Sequence, residues 1–232
     1  MTKTVLVTGV SSGIGLAQAS SFLEQGYRVV GVDKAYAPNL TGDFQFIQLD
    51  LQEDLAPLFQ QLPSVDILCN TAGILDDYQP LLTCSEEVFE QVFAVNFFAT
   101  LKLIRHYLPD MIERKEGIII NMCSIASQLA GGGGAAYTSS KHALAGLTKQ
   151  LALDYALEGI QVFGIAPGAV QTGMTQSDFE EGGMADWVAE QTPIGRWTQP
   201  QEIADLTMFL ASGKAQSMQG QIIGIDGGWS LK

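Results

Sequence analysis

Along the chain, short apolar runs rich in β-branched residues alternate with longer stretches in which apolar residues recur every three or four positions. The first kind suits strands buried on both faces of a sheet, the second amphipathic helices. On this pattern Lys3–Thr8 is a strand, followed by a glycine-rich turn and a helix running to Gln25, with Gly26 where a helix end favours glycine. Tyr27–Val32 and Phe44–Leu49 are the next strands, Asp54–Leu62 a short helix, and Val65–Cys69 a fourth strand. Residues 85–114 read as one long helix with Pro109 near its end, and Ile118–Met122 as a fifth strand. A helix over 137–158 stops at Gly159. Ile160–Ile165 is then a strand, Pro200–Ala211 a helix, and Gly220–Gly228 a final strand with a turn. Between them, residues 173–199 hold Met174, Met184, Trp187 and Trp197 among polar residues and glycines. Irregular chain of that length is often a lid, although the same residues suit ordinary packing.

Composition narrows the function classes. A chain of 232 residues, 47% apolar and 16% charged, has material for one large α/β domain over 1–232 and no linker-like stretch to split it. With a formal charge of −13 and its 12 basic residues scattered, a nucleic-acid partner is not expected. Cys69, Cys84 and Cys123 are an odd set without metal-ligand spacing, so reduced thiols in a cytoplasmic protein are expected, and no metal. The N-terminus enters a strand directly, and no apolar run approaches the ~20 residues of a membrane span, so no membrane is expected either. His106 and His142 both lie on helical patterns, where a surface role is expected.

Two stretches carry candidate chemistry. The first strand ends in Gly9-Val-Ser-Ser-Gly13-Ile-Gly15 and opens a helix. Glycines let backbone approach a pyrophosphate whose charge is met by the helix N-terminus, so this is a dinucleotide-binding context, with an ordinary βα turn as the plainer alternative. The second strand ends at Asp33, about 20 positions on, where a carboxylate would accept from ribose hydroxyls and repel a 2′-phosphate. The other stretch is residues 117–141, in which a strand runs to Ser124 and a glycine-rich connection, Gly131–Gly134, leads to Tyr137 and Lys141. The last two lie one turn apart on one helix face. A free tyrosine ionises near pH ~10, too high for a proton carrier at neutrality, and a neighbouring ammonium favours the phenolate. A serine hydroxyl at the strand end could hold the same substrate oxygen. Taken alone, the pair better suits a core tyrosine with a solvent-facing lysine. Asn96, a poor helix former inside 85–114, equally suits a helix surface.

In order, the pieces resemble the short-chain dehydrogenase/reductase family. They are Thr8-Gly9-x₃-Gly13-x-Gly15, Asp50-Leu51, Asn70-Thr71-Ala72-Gly73, Val95-Asn96, Ser124, Tyr137 with Lys141, and Pro167-Gly168 followed by Thr172. Two positions depart: Thr71 and Ala166 stand where the family usually has Asn. The resemblance implies a doubly wound α/β three-layer sandwich of Rossmann type, with a parallel sheet and the ligand beyond the carboxyl ends of its strands. It implies hydride transfer between NAD(H) and a secondary alcohol/ketone pair, with Tyr137 as general acid and base. Lys141 would hold the nicotinamide ribose and lower the Tyr137 pKa, Ser124 would bond the substrate oxygen, and Asn96 would support a water relay. The implied cofactor contacts are Gly9, Ser11, Ser12, Gly13, Ile14, Gly15, Asp33, Asp50, Leu51, Asn70, Ala72, Gly73, Tyr137, Lys141, Pro167, Gly168, Val170 and Thr172. Asp33, together with Ser12 where NADP-preferring members often carry a basic residue, points to NAD.

The C-terminal strand is similar to the 3-oxoacyl-[acyl-carrier-protein] reductase branch, where it lies at a subunit interface. With Leu144, Leu147 and Leu151 giving a long helix apolar residues on more than one face, the expected assembly is a homotetramer. A 3-oxoacyl-carrier-protein reductase is one alternative function, and a non-catalytic dinucleotide sensor or scaffold another. Glu158, where that branch carries a basic residue, and the charge of −13 favour a small-molecule carbonyl or alcohol substrate over the acidic carrier protein.

Overall fold

The computed structural model describes residues 2–232. Seven strands, all parallel, form one sheet: β1 (Thr4–Thr8), β2 (Arg28–Asp33), β3 (Phe44–Gln48), β4 (Ile67–Asn70), β5 (Gly117–Met122), β6 (Ile160–Pro167) and β7 (Ile222–Ile225). Their order is β3-β2-β1-β4-β5-β6-β7. The period-two rule sorts the sheet's side chains between two cores. Val5 and Val7 of β1 pack with Phe22, Ile203 and Leu210 on one face, while Leu6 between them packs with Leu103, Tyr107 and Met111 on the other. Helices α1 (Gly13–Glu24) and α7 (Pro200–Ala211) cover the first face. The second is covered by α2 (Ala56–Gln61), α4 (Thr100–Arg114) and α5 (Ala135–Tyr155). This is the expected doubly wound sandwich.

The chain reverses direction across the sheet after β3, returning to place β4 on the far side of β1. That switch opens a crevice at the carboxyl ends of β1 and β4, where such folds bind ligands. The ends of β2, β5 and β6 deliver Asp33, Ser124 and Pro167 to the same edge.

Residues 85–114 are not one helix. Ser85 caps α3 (Glu86–Phe93), its Oγ accepting from Val88 N at 3.3 Å, and a π-helical turn over Ala94–Ala99 then joins α3 to α4. Asn96 lies inside the π turn, a wider coil that tends to occur at functional sites. On α5 the leucines do not form a second apolar face: Leu144 and Leu151 are buried, Leu144 with Cys123 and Ala166, and Leu147 packs from a partly buried position against the core that holds Leu151. The exposed apolar side chains on and just after this helix are Leu153 and Leu157. Residues 173–199 are ordered chain, with a 3₁₀ stretch at Gly173–Phe179 and α6 (Ala185–Gln191). Their two ends are zipped where Gln171 N donates to Thr198 O at 3.0 Å and Thr198 N to Ala169 O at 3.0 Å.

Candidate active site

Two cavities meet over the carboxyl edge of the sheet, sharing Ile14, Thr71, Gly73, Thr172 and Met174. The narrower, about 260 Å³, is lined by Gly9, Ser12, Gly13, Ile14, Gly15, Asp33, Asp50, Leu51, Ala72 and Gly73. Its glycines are required by close approach. Gly9, at φ +72°, would place a Cβ 2.9 Å from Ala72 Cα, and a Cβ on Gly15 would collide with the Gly9 carbonyl. The N-terminus of α1 therefore opens straight onto the crevice with free backbone donors, since Ser12 makes no side-chain cap. At the far end the Asp33 carboxylate is held by Ser11 N at 3.0 Å and Ala35 N at 2.9 Å, fixed where a ribose diol would meet it. A cleft with a carboxylate at one end, helix donors in the middle and a lysine beyond fits a nicotinamide dinucleotide.

Ser11 serves this cleft through Asp33 rather than as part of its wall. Asn70 lies below it: its Nδ2 donates to Asn121 Oδ1 at 2.8 Å, and its Oδ1 is buried without a partner among the described residues. Thr71, one of the departures from the family pattern, donates to Gln18 Oε1 at 2.6 Å and so ties β4 to α1.

The wider cavity, about 450 Å³, carries Ser124, Tyr137 and Lys141 on its wall with Pro167, Gly168, Val170 and Thr172. Ser124 Oγ accepts from Ala126 N at 3.1 Å, and its hydroxyl shares the cavity wall with the Tyr137 phenol. Lys141 Nζ donates to Met122 O at 2.7 Å and sits 5.5 Å from the centre of the Tyr137 ring. Burial drives the Tyr137 phenol up, to about 12. The neighbouring Ser124 hydroxyl opposes this, while Tyr78, Cys123 and Asp76 add to it. Burial pushes the Lys141 ammonium down, to about 8, against Cys123. The expected lowering of Tyr137 by Lys141 does not appear in the protein alone: burial dominates both groups, and the ammonium is engaged by the Met122 carbonyl.

Asn96 is buried beside this pair without touching Lys141. Its Oδ1 accepts from Ile74 N at 2.9 Å, and its Nδ2 donates to Ile74 O at 3.0 Å and Ser140 Oγ at 3.2 Å. Gly73 fills the gap between the two: a Cβ there would be 3.2 Å from Asn96 Oδ1 and 3.5 Å from Lys141 Nζ. Neither histidine joins the site. His142 is exposed, while His106 departs from the surface expectation by stacking on Phe59 at 3.7 Å.

Sequence reasoning missed Asp76. Its carboxylate, 1% exposed, accepts from Gly134 N at 2.8 Å and Tyr137 N at 2.9 Å, and Ala135 N donates to Gln79 O at 3.0 Å. The loop after β4 therefore clasps the first turn of the helix that carries Tyr137 and Lys141. To do so it passes through left-handed backbone at Asp77 (φ +51°) and Tyr78 (φ +57°). The one signal in the sequence was a pair of acids, Asp76-Asp77, separated from the Asn70–Gly73 motif by Ile74 and Leu75.

A family model described as "Enoyl-(Acyl carrier protein) reductase" matches residues 9–230. The short chain dehydrogenase adrF of Penicillium rubens is 34% identical, over 98% of this chain and 96% of that protein. Among solved structures, 4-hydroxyisoleucine dehydrogenase complexed with NADH superposes with a TM-score of 0.93 at 33% identity, covering 99% of each chain. ElxO with NADP bound gives a TM-score of 0.91 at 26% identity, covering 100% of each chain. With the glycine turn, the Ser124–Tyr137–Lys141 cluster and the sheet order all in place, the chain belongs to the short-chain dehydrogenase/reductase family.

Proposed function

We propose that this chain is an NAD(H)-dependent oxidoreductase that interconverts a secondary alcohol and a ketone, with Tyr137 as general acid and base. The observation that carries the reading is the convergence of Ser124, Tyr137 and Lys141 on one cavity wall, continuous with the cleft over the α1 N-terminus. A nicotinamide dinucleotide held in the cleft over Gly9, Gly13 and Asp33 would supply the hydride chemistry. In oxidation Tyr137 Oη takes the hydroxyl proton of the substrate, and in reduction it returns one to the ketone oxygen. Ser124 Oγ, on the same cavity wall, orients that oxygen. Lys141 would hold the nicotinamide ribose of a bound dinucleotide, and its ammonium lies 5.5 Å from the Tyr137 ring centre. Asn96 braces the backbone at Ile74 and holds the strand end next to Lys141 in register.

NAD is preferred to NADP in this reading because Asp33 stands fixed at the ribose end and Ser12 is neutral. The similar structures named above carry NADH in one case and NADP in the other. Residues 173–199 form the substrate lid, on the support that Met174, Met184 and Trp187 line the cavity. Exposed Phe98, Leu153, Leu157 and Phe209 on the outer helices support a homotetramer, and the free thiols support a cytoplasmic protein. No described helix is long and apolar enough to cross a membrane. The test is Tyr137→Phe, assayed by NADH absorbance against a panel of alcohols, sugars, hydroxyacyl thioesters and diketones. Turnover is expected to vanish with NAD(H) affinity kept within a few-fold. Near-normal kcat in the variant would overturn the mechanism.

A further inference from the structure

We infer that the substrate taken by this cavity is an uncharged, hydrocarbon-rich ketone or secondary alcohol, and that the pocket discriminates against substrates bearing a carboxylate. This rests on the oxidoreductase reading and goes on to what the lid side of the cavity recognises. Beyond the Ser124–Tyr137–Lys141 wall, that side is made of Leu75, Tyr78, Met174, Met184, Trp187 and Trp229. Three of these are large apolar groups left about half exposed around one mouth, Met174 at 47%, Met184 at 48% and Trp187 at 49%. Apolar surface gathered in this way gains by being covered, and a hydrocarbon body seated there would cover it. The two thioethers are adaptable and the indoles rigid, a combination that suits a bulky apolar ligand.

The wall is built in advance. Trp187 and Trp229 meet edge to face at 6.2 Å. Trp229 is held by the turn in which Asp226 accepts from Gly228 N at 2.9 Å and Ser230 N at 2.9 Å. The lid hangs on Trp197, which is buried, donates from Nε1 to Ala185 O at 2.9 Å and packs on Phe179 at 4.8 Å.

The charges point the same way. Among the described residues Lys141 is the one cation on the cavity wall, and it is 3% exposed and bonded to Met122 O. The nearby lid arginine, Arg196, is paired with Glu202 through both guanidinium nitrogens, at 2.8 and 3.0 Å. The remaining formal charge on the wall is the carboxylate of Asp178. A carboxylate on the substrate would lose water, find no cation and face a like charge. A polyhydroxylated substrate fares little better. Thr175 Oγ1 is already engaged with Val170 O and Thr172, leaving Tyr78, Asp178 and the indole N–H groups of Trp187 and Trp229 as the polar atoms of the lid side.

The test uses a pair differing in one charge, methyl 4-oxocyclohexanecarboxylate and 4-oxocyclohexanecarboxylate, with cyclohexanone and 2-decalone to read the effect of hydrocarbon bulk. Reduction by the full-length enzyme is expected to favour the ester over the acid by at least about 30-fold in kcat/KM, the scale of one unpaired charge in an apolar site. 2-Decalone is expected to exceed cyclohexanone. Asp178→Asn should narrow the ester-to-acid ratio by about fivefold, and Trp187→Ala should remove about tenfold of the decalone advantage. Binding of the same four compounds is measured by calorimetry in the presence of NAD⁺, with which a ketone does not react. An acid that binds and reacts as well as its ester, or ratios unmoved in both variants, overturns the inference while leaving the oxidoreductase reading in place. Binding in the expected order with no turnover of any carbonyl compound overturns the oxidoreductase reading and keeps the inference. No binding of 2-decalone overturns the inference.

Discussion

Replacing Asp76 by Asn should cost both stability and catalysis, for a reason visible only in three dimensions. The carboxylate accepts two backbone N–H groups at the N-terminus of α5, at 2.8 and 2.9 Å, and is 1% exposed. An amide offers one acceptor oxygen, so its NH₂ group would face either Gly134 N or Tyr137 N, donor against donor. One buried N–H is then stranded, at about 1–3 kcal/mol, and the favourable interaction of a negative group with the helix N-terminus, up to about 2 kcal/mol, is lost as well. A loss of about 2–4 kcal/mol corresponds to a fall in Tm on the order of 5–15 °C for a domain of this size. Tyr137 is one of the two residues released, and a general base displaced by about 1 Å costs on the order of 10²-fold in kcat. A pH profile separates this from simple loosening. The groups around the Tyr137 phenol are Ser124, Tyr78, Cys123, Asp76 and Lys141, and Asp76 is among those that raise its pKa. Removing that negative charge lowers the Tyr137 pKa. Alcohol oxidation needs the phenolate, so its alkaline rise in kcat/KM should move to lower pH in Asp76→Asn. The assays are thermal unfolding and the pH dependence of oxidation, with Gly134→Ala as a second route, since its Cβ would lie 2.6 Å from Asp76 Oδ2 and 2.5 Å from Gln79 N. An Asp76→Asn protein with unchanged Tm, kcat and pH profile would refute the reasoning.

Asp33→Ser should narrow or reverse a preference for NADH over NADPH in kcat/KM; a clear NADPH preference in the unmodified protein would mean that Lys34, on the same cleft wall, captures the 2′-phosphate. Light scattering at micromolar concentration should give a tetramer, and Leu153→Glu or Leu157→Glu should weaken it if that exposed apolar end of α5 is an interface. A 3-oxoacyl carrier-protein thioester should be reduced less efficiently than small ketones at low ionic strength, because an acidic partner is not steered toward a chain of net charge −13; efficient reduction that slows with added salt would reveal a local basic surface.

The strand and helix succession, the glycine turn, Asp33, Ser124 and the Tyr137–Lys141 pair were legible in the sequence because each is a local event. A β-branched run becomes a strand, a glycine permits a close turn, and residues four apart share a helix face, whatever the rest of the chain does. Even the Asn96 anomaly was visible as a poor helix former in a helical stretch. What the sequence could not specify was the width of the coil there, since a π turn depends on what Asn96 braces, the backbone at Ile74. Segment ends shifted by one or two residues for the same reason: β4 extends to Asn70 and β6 to Pro167 because neighbouring strands pair that far.

The remaining features belong to tertiary structure. Asp76 and Asp77 are adjacent acids after Leu75, and only the arrival of the α5 N-terminus, 58 positions later, buries one of them and makes it a clasp for the helix that carries Tyr137 and Lys141. Leu144 and Leu151 read as an apolar face awaiting a partner until the sheet covers them, leaving Leu153 and Leu157 outside. Met174, Met184 and Trp187 are scattered through a polar stretch, and Trp229 lies more than 40 residues further on. They become one wall because Trp197 and the Gln171–Thr198 zipper fold the lid back over the sheet. The sequence by itself determined the class of chemistry, which needs a few groups at short spacing on fixed elements. Tertiary structure decided what holds those groups in place and what the cavity admits, because burial and charge pairing depend on which distant segments come together.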